Sequence, residues 1–410
     1  MSPVTKSRLS NRGLTAPSSP IRKLEPLART ATERGTKIYH LNIGQPDIAT
    51  PTEFLENARL VPGQVLSYSP SAGLYSYRQA LARYYQTLDL AVPIEERDLL
   101  VTTGGSEAIL FTLLSLCDPG DEVITPEPYY PNYGMFALMA GAVLRALPTR
   151  IEDGFRLPTP EQFAQAVTDK TRAILLCNPS NPTGAVYSRE ALSQVVSLCR
   201  SRGLALICDE VYRDFVYGDG KRQSVLQLPE AAEVAVVIDS LSKRFSACGA
   251  RIGCLLSKRT DLLDAATRFA MSRLSPPTLG QLGGTAVLTN PGPFVAQMID
   301  QFRRRRDVLS SELGKLPGVL APEAQGAFYL MTRLPVVSTE HFCSWLLSDF
   351  SHEGETVMLA PGPGFYQTPG AGEDEVRIAY VLAEAPLRRA VELLGRALDA
   401  YPGTPHARRS

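Results

Sequence analysis

The chain has 410 residues, 44% apolar and 20% charged, with Lys+Arg and Asp+Glu both at 42, so its formal net charge is zero. That is the composition of a soluble globular protein large enough for two domains, or one large and one small, and without a basic excess it excludes a general nucleic-acid binder. Seven cysteines without a CxxC pair and four scattered histidines argue against a disulfide framework, a zinc site or a histidine triad, and fit thiols buried in a reducing, cytoplasmic setting. Neither a secretory h-region nor an apolar run of membrane-spanning length is expected.

Taken in order, residues 1–20 are rich in Ser, Pro and Arg and read as a mobile arm. Ile21 to Ala31 has helical spacing. Lys37 to Leu41 reads as a short strand that is broken by Gly44 and Pro46, where backbone can approach a ligand; taken alone, a plain strand exit explains it better. Tyr68 precedes the glycine turn Pro70–Gly73 and a helix at about 76–88. Asp98 to Thr102 reads as a strand that runs into Gly104-Gly105-Ser106-Glu107-Ala108 and an apolar helix to Cys117. A glycine pair before a helix start leaves free N–H groups and a favourable dipole end for an anion, although such turns are also common without a ligand.

Strands at Glu122–Thr125, 142–148, Ala173–Leu176, Leu204–Cys208 and Val234–Ile238 alternate with helices, which predicts a mainly parallel sheet covered on both faces. Between them lie Tyr129 and Tyr130 in a proline-rich turn, which suit either core or a flat face for a ring. There follow the stiff loop Asn178–Gly184 with two side-chain amides, and Asp209 with Tyr212 at a strand's carboxyl end. The stretch 240–253 then combines Ser240, Ser242, Lys243, Gly249 and Arg251. A lysine at the mouth of a buried strand is desolvated and so becomes a nucleophilic amine. Hydroxyls and an arginine suit a phosphate. Pyridoxal phosphate, held as a lysine Schiff base, needs both; a surface turn with an ordinary lysine fits this stretch equally well by itself. Every candidate falls where a strand ends, the edge at which open α/β sheets bind ligands.

After 258 one long helical stretch is expected to about 289, ended by Asn290-Pro291-Gly292. A helix at 295–315 carries Arg303–Arg306, read as a solvated basic face. Strands at 317–320, 326–332 and 355–359, a helix at 338–349, the loop 360–366, a strand Glu375–Tyr380 containing Arg377 and a helix at 384–400 complete a smaller α+β unit. The resulting division is an arm at 1–20, the N-terminal part of the small domain at 21–45, a large domain at 46–290, the rest of the small domain at 291–400, and a disordered tail at 401–410.

As an ordered set, Tyr68-x-Pro-x-Ala-Gly, Gly-Gly-Ser-Glu-Ala, Pro-Tyr-Tyr-Pro, Asn-Pro-Thr-Gly, Asp-Glu-x-Tyr, Ser-x-Ser-Lys with Gly-x-Arg-x-Gly, and Glu-Val-Arg-Ile resemble the class I/II aminotransferases of the fold type I pyridoxal-phosphate enzymes, over about residues 18–398. The resemblance implies a three-layer α/β/α large domain with a mainly parallel sheet and a smaller α+β domain built from both termini. It implies pyridoxal 5'-phosphate as cofactor, with Lys243 forming the Schiff base and then moving the α-proton. Asp209 pairs with the pyridine nitrogen, Tyr212 and Asn181 with the ring hydroxyl oxygen, and Tyr130 stacks on the ring. Gly104, Gly105, Ser106, Ser240, Ser242 and Arg251 form the phosphate cradle. Tyr68 reaches the phosphate of a neighbouring subunit, which implies a homodimer with active sites at the interface. Arg377, Asn181 and the Gly44 backbone bind substrate. An amino acid and a 2-oxo acid are the implied partners, without metal, nucleic acid or membrane. The same cofactor also serves β-elimination, decarboxylation and oxidative deamination, which these motifs do not separate from transamination. Ser106 stands where some dicarboxylate-specific relatives carry lysine. Arg22 could supply that cation or be a solvated helix charge, and Tyr39 and Phe365-Tyr366 could line a side-chain pocket.

Overall fold

The computed structural model describes residues 8–61, 65–218 and 222–403. Its strands, in chain order, are β1 (Lys37–His40), β2 (Leu99–Thr102), β3 (Glu122–Glu127), β4 (Val143–Pro148), β5 (Thr171–Cys177), β6 (Ala205–Asp209), β7 (Ala235–Ser240), β8 (Gly253–Ser257), β9 (Tyr329–Arg333), β10 (Glu355–Met358), β11 (Ala360–Pro361) and β12 (Glu375–Ala379). Every residue of β6, β7 and β8 is buried. Such unbroken burial follows from a sheet with helices on both faces.

The main sheet has seven strands in the order β2-β8-β7-β6-β5-β3-β4. All pairs are parallel except those of β8, which runs antiparallel to β2 and β7. The register aligns Cys177 with Asp209 and Asp209 with Ile238, so β5, β6 and β7 end at one edge. Because β8 runs the other way it begins at that edge, with Gly253 opposite both Ser240 and Thr102. This is an α/β fold with a mainly parallel central sheet. A second group of elements combines the antiparallel sheet β11-β12-β9 with the parallel pair β1-β10, which joins the chain's two ends. The closing helix Glu384–Ala400 packs there through Leu387, Ala390, Val391, Leu394, Ala397 and Leu398 at helical spacing.

Five expectations change. Part of the arm is ordered, as an exposed helix Asn11–Thr15 capped by Ser10; residues 1–7 and 404–410 lie outside the described residues. Tyr401, expected in a disordered tail, is buried, its ring packed on Phe342 and Trp345. The stretch 258–289 is two helices, Thr260–Arg273 and Thr278–Thr289. Leu274 stands between them at φ +75°, followed by Pro276-Pro277, which lack the N–H a helix needs. The strand expected at 317–320 shrinks to a single bridge, Leu320 to Arg333. The basic run also splits around its helix. Arg303 and Arg304 face solvent and pair with Asp300, whereas Arg305 and Arg306 are buried and bond Asp47 and the Ala324 carbonyl. Among the described residues, no helix is long and apolar enough to cross a membrane.

Candidate active site

A cavity of about 520 Å³ lies at the edge where β5, β6 and β7 end, reached also by β12 and the segment after β1. It is lined by every residue expected of the site except Gly104 and Tyr68. Lys243 is delivered by the turn after β7. The Ser240 hydroxyl caps the one-turn helix Leu241–Arg244 by accepting from the Ser242 N–H at 3.1 Å, and Leu241 and Arg244 are buried beneath it. The Lys243 Nζ donates to the Gly44 carbonyl at 2.9 Å and lies 3.8 Å from the Cys248 thiol. A Cβ on Gly44 would stand 1.7 Å from the Tyr329 hydroxyl, so only glycine lets the backbone come this close.

Asp209, 5% exposed, ends β6. Its Oδ2 accepts from the Tyr133 hydroxyl at 2.7 Å and its Oδ1 from the Val211 N–H at 3.3 Å. Burial pushes its pKa up to about 6, against those two hydrogen bonds. Among the described residues no cationic side chain bonds this carboxylate. A buried carboxylate on a cavity wall without a cation is costly until one arrives.

The start of the helix Gly104–Leu116 has no side-chain cap, and its first turn presents Gly105 and Ser106 to the cavity. Gly104 sits behind the wall at φ +73°, where a Cβ would meet the Arg251 Nη2 at 2.5 Å. Arg251 adopts φ +52° and donates to the Cys248 carbonyl at 3.1 Å. The Ser240 hydroxyl lies 2.8 Å from that of Ser242. Helix start, paired hydroxyls and guanidinium together form an anion cradle.

Arg377, on β12, is 2% exposed. It donates to the Asn181 Oδ1 at 3.0 Å and the Asn42 carbonyl at 2.5 Å, and its carbon lies 4.4 Å from the Tyr329 ring centre and 5.0 Å from that of Phe365. Its Nε has no partner, and burial lowers its pKa. Tyr130 packs edge-on to Tyr133 at 5.5 Å and accepts from the Asn132 amide; burial pushes its phenol up to about 12. The Tyr212 hydroxyl lies 2.9 Å from that of Tyr329.

Tyr68 is 79% exposed and outside its own chain's cavity. Arg22 lines the mouth with Ser19 and Ile21, held there by Asn42, whose amide donates to the Ile21 carbonyl at 3.2 Å. Tyr39 and the Phe365-Tyr366 pair do not line it. Tyr39 bonds Glu355, Phe365 lies beneath Arg377, and Tyr366 bonds Glu375. Cys248 also departs from expectation, being half-buried in the cavity while the other six thiols are fully buried. Tyr133, Tyr329 and Asn42 were missed, since each acts through residues far along the chain.

An open sheet that gathers an amine, an uncompensated carboxylate and a buried arginine at one edge belongs to an enzyme. Residues 36–394 match the family model described as aminotransferase class I and II. The aspartate aminotransferase of Geobacillus stearothermophilus is 31% identical, over 91% of this chain and 94% of that protein. The aspartate/prephenate aminotransferase of Thermus thermophilus is 32% identical, over 89% of this chain and 92% of its own length. The solved structure of Thermus thermophilus aspartate aminotransferase with maleate superposes with a TM-score of 0.85 at 31% identity, covering 96% of this chain and 100% of the other. The alanine aminotransferase of Pyrococcus furiosus gives 0.87 at 28% identity, covering 95% and 99%. The chain belongs to the aminotransferase class I and II family, and amino transfer is its reaction.

Proposed function

We propose that the chain is a homodimeric, cytoplasmic aminotransferase that uses pyridoxal 5'-phosphate at Lys243 and takes a dicarboxylic amino acid or oxo acid as one partner. The observation that carries this is the pairing of the Lys243 amine with the cation-free Asp209 carboxylate across one cavity. The cofactor fits the residues present. Asp209 would keep the pyridine nitrogen protonated. Gly105, Ser106, Ser240, Ser242 and Arg251 would hold the phosphate, Gly104 giving Arg251 its room. Tyr130 would cover a ring face, and Tyr212 and Asn181 would bond the ring hydroxyl. When bound, the cofactor supplies the aldehyde that takes up the amino group and the ring that absorbs carbanion charge.

The protein's own part is orientation and proton transfer. Arg377 holds the substrate α-carboxylate with its planar fork, Asn181 beside it. Lys243, once its amine is free, takes the α-proton on Nζ and returns it to the cofactor side. In this reading residues 46–290 carry the cofactor, and 21–45 with 291–400 form the domain that brings Arg377.

Two further features support substrate and assembly. Among the described residues Arg22 has no acidic partner, so its charge at the mouth is available to a distal carboxylate. The relatives named for aspartate point the same way. Arg22→Gln should raise KM for dicarboxylates about tenfold, the worth of one charge-assisted hydrogen bond, and leave KM for alanine unchanged. Tyr68, Met271 and Leu274 are exposed, and the segments that carry them meet where the Ser71 hydroxyl donates to the Leu274 carbonyl at 2.6 Å. Such exposed apolar side chains suit cover by a second copy, whose Tyr68 would reach this chain's cradle.

The test is Lys243→Ala, checked for folding by circular dichroism. The expected variant neither traps the cofactor on borohydride reduction nor turns over. Retained transamination would overturn the assignment.

A further inference from the structure

Behind the cavity wall lies a buried ion network that no step above uses. Arg244 is fully buried; its Nη2 reaches the Asp239 carboxylate at 2.6 and 2.8 Å, and its Nε lies 2.9 Å from the Asp214 Oδ2. Asp239 also accepts from the Arg213 Nη2 at 3.0 Å and the Tyr85 hydroxyl at 2.8 Å. Asp214 accepts from the Tyr84 hydroxyl at 2.7 Å and Arg222 at 3.2 Å. Arg213 reaches Glu210 at 3.1 Å, and Glu210 in turn accepts from the Val225 N–H at 2.8 Å. Three carboxylates (Glu210, Asp214, Asp239) thus meet three guanidiniums (Arg213, Arg222, Arg244). Burial alone would raise Asp214, but Arg244 and Arg213 hold its pKa down at about 2.

The network's place in the chain gives it meaning. Four cavity-lining residues each have their immediate neighbour in it: Asp209 has Glu210, Tyr212 has Arg213, Ser240 has Asp239, and Lys243 has Arg244. The network thus stands one peptide bond from each of these cavity-facing groups. A buried ion cluster is a weak source of net stability, and apolar replacements of similar volume are often neutral, so fixing register is the better-attested use. Arg244 joins the turn carrying Lys243 both to the end of β7, at Asp239, and to the loop after β6, at Asp214.

We propose that Arg244 is a positioning residue, which by bridging Asp239 and Asp214 fixes the Lys243 amine relative to Asp209. This rests on Lys243 being the amine that holds the cofactor. The two failures are distinguishable: if that reading is wrong, wild type lacks the lysine-bound cofactor absorbance, whereas failure of the present proposal leaves the wild-type spectrum intact.

The experiment compares holoenzyme of wild type, Arg244→Lys and Asp214→Asn, with Val196→Ala, a buried apolar residue of the helix Arg189–Arg202 that makes no bond to the network, as a core control. Lysine keeps the charge but loses the planar fork that spans two carboxylates; asparagine weakens one arm and leaves Asp239 paired. The readouts are the pH midpoint of the bound cofactor's absorbance, kcat and KM separately, and Tm. Both network variants are expected to displace the midpoint and to lower kcat on the order of ten- to a hundredfold with KM little changed, as for a displaced reacting group. Val196→Ala is expected to lower Tm with midpoint and kcat unchanged. If the network variants behave like Val196→Ala, the proposal is overturned. If Arg244→Lys does not fold, Asp214→Asn decides alone, by the same midpoint and kcat.

Discussion

Asp209 makes its own contribution to the pH dependence of the cofactor-free protein. Burial raises its carboxyl from 3.8 to about 6, so the folded state binds a proton more tightly than the unfolded chain. The sign follows: this group favours folding below about pH 4, and that contribution is lost as pH rises through 6. Asp209→Asn removes the dependence. The Tm of the cofactor-free variant minus that of wild type should therefore rise between pH 4 and 6 and level off above, as followed by thermal melts across that range. A flat difference would show that the carboxyl is not held protonated. Gly44→Ala is the steric counterpart. Its Cβ would require Tyr329 to leave, which breaks the contact with Tyr212 and the stacking on Arg377; kcat/KM should fall more than tenfold, within the cost of a displaced substrate clamp. Asp209 stood out in the sequence because it ends an apolar run, and Lys243 because a lone lysine follows such a run after two serines. Tyr133 and Tyr329 were not, because their partners lie 76 and 117 positions away and no local pattern marks such pairs.

At the scale of elements, apolar runs announced six strands of the main sheet but not β8, whose run of three apolar residues, Cys254–Leu256, is short. Its antiparallel course, which no apolar run could reveal, brings Gly253 against the helix that starts at Gly104. A Cβ at 253 would stand 2.5 Å from the Gly104 carbonyl carbon and 2.7 Å from the Gly105 nitrogen. Gly253→Ala should push the helix start away from the sheet, lowering stability by about 1–3 kcal/mol, the usual range for overpacking, and weakening cofactor retention. Chemical denaturation and dialysis of the cofactor measure the two effects. Unchanged cofactor retention would separate this contact from the cradle. The run Arg303–Arg306 misled for a related reason. Four adjacent residues span more than one turn of a helix, so a charge run marks a solvated face only when the whole helix is exposed.

For the whole molecule, the order of the motifs carried the fold reading: those from Gly104 to Lys243 follow strands of the main sheet, whereas the Glu375–Ile378 motif lies inside a strand of the second, antiparallel sheet. Assembly into a dimer rests on the family resemblance, and the exposed side chains of Tyr68, Met271 and Leu274 are the candidates for a face that a second copy would cover. Met271→Glu would place a charge on that face. The variant is expected to sediment as a monomer at concentrations where wild type is a dimer, and to release its cofactor more readily. A monomeric wild type with full activity would contradict the shared site.

The most direct measurement mixes the cofactor-loaded protein with single amino acids and no oxo-acid acceptor, following cofactor absorbance together with released ammonia and oxygen uptake. A stoichiometric conversion to the cofactor's amine form, reversed by 2-oxoglutarate or pyruvate and fastest with aspartate or glutamate among the donors, is the predicted result. Continuous release of ammonia or uptake of oxygen with the cofactor still an aldehyde would contradict amino transfer as the outcome of this site.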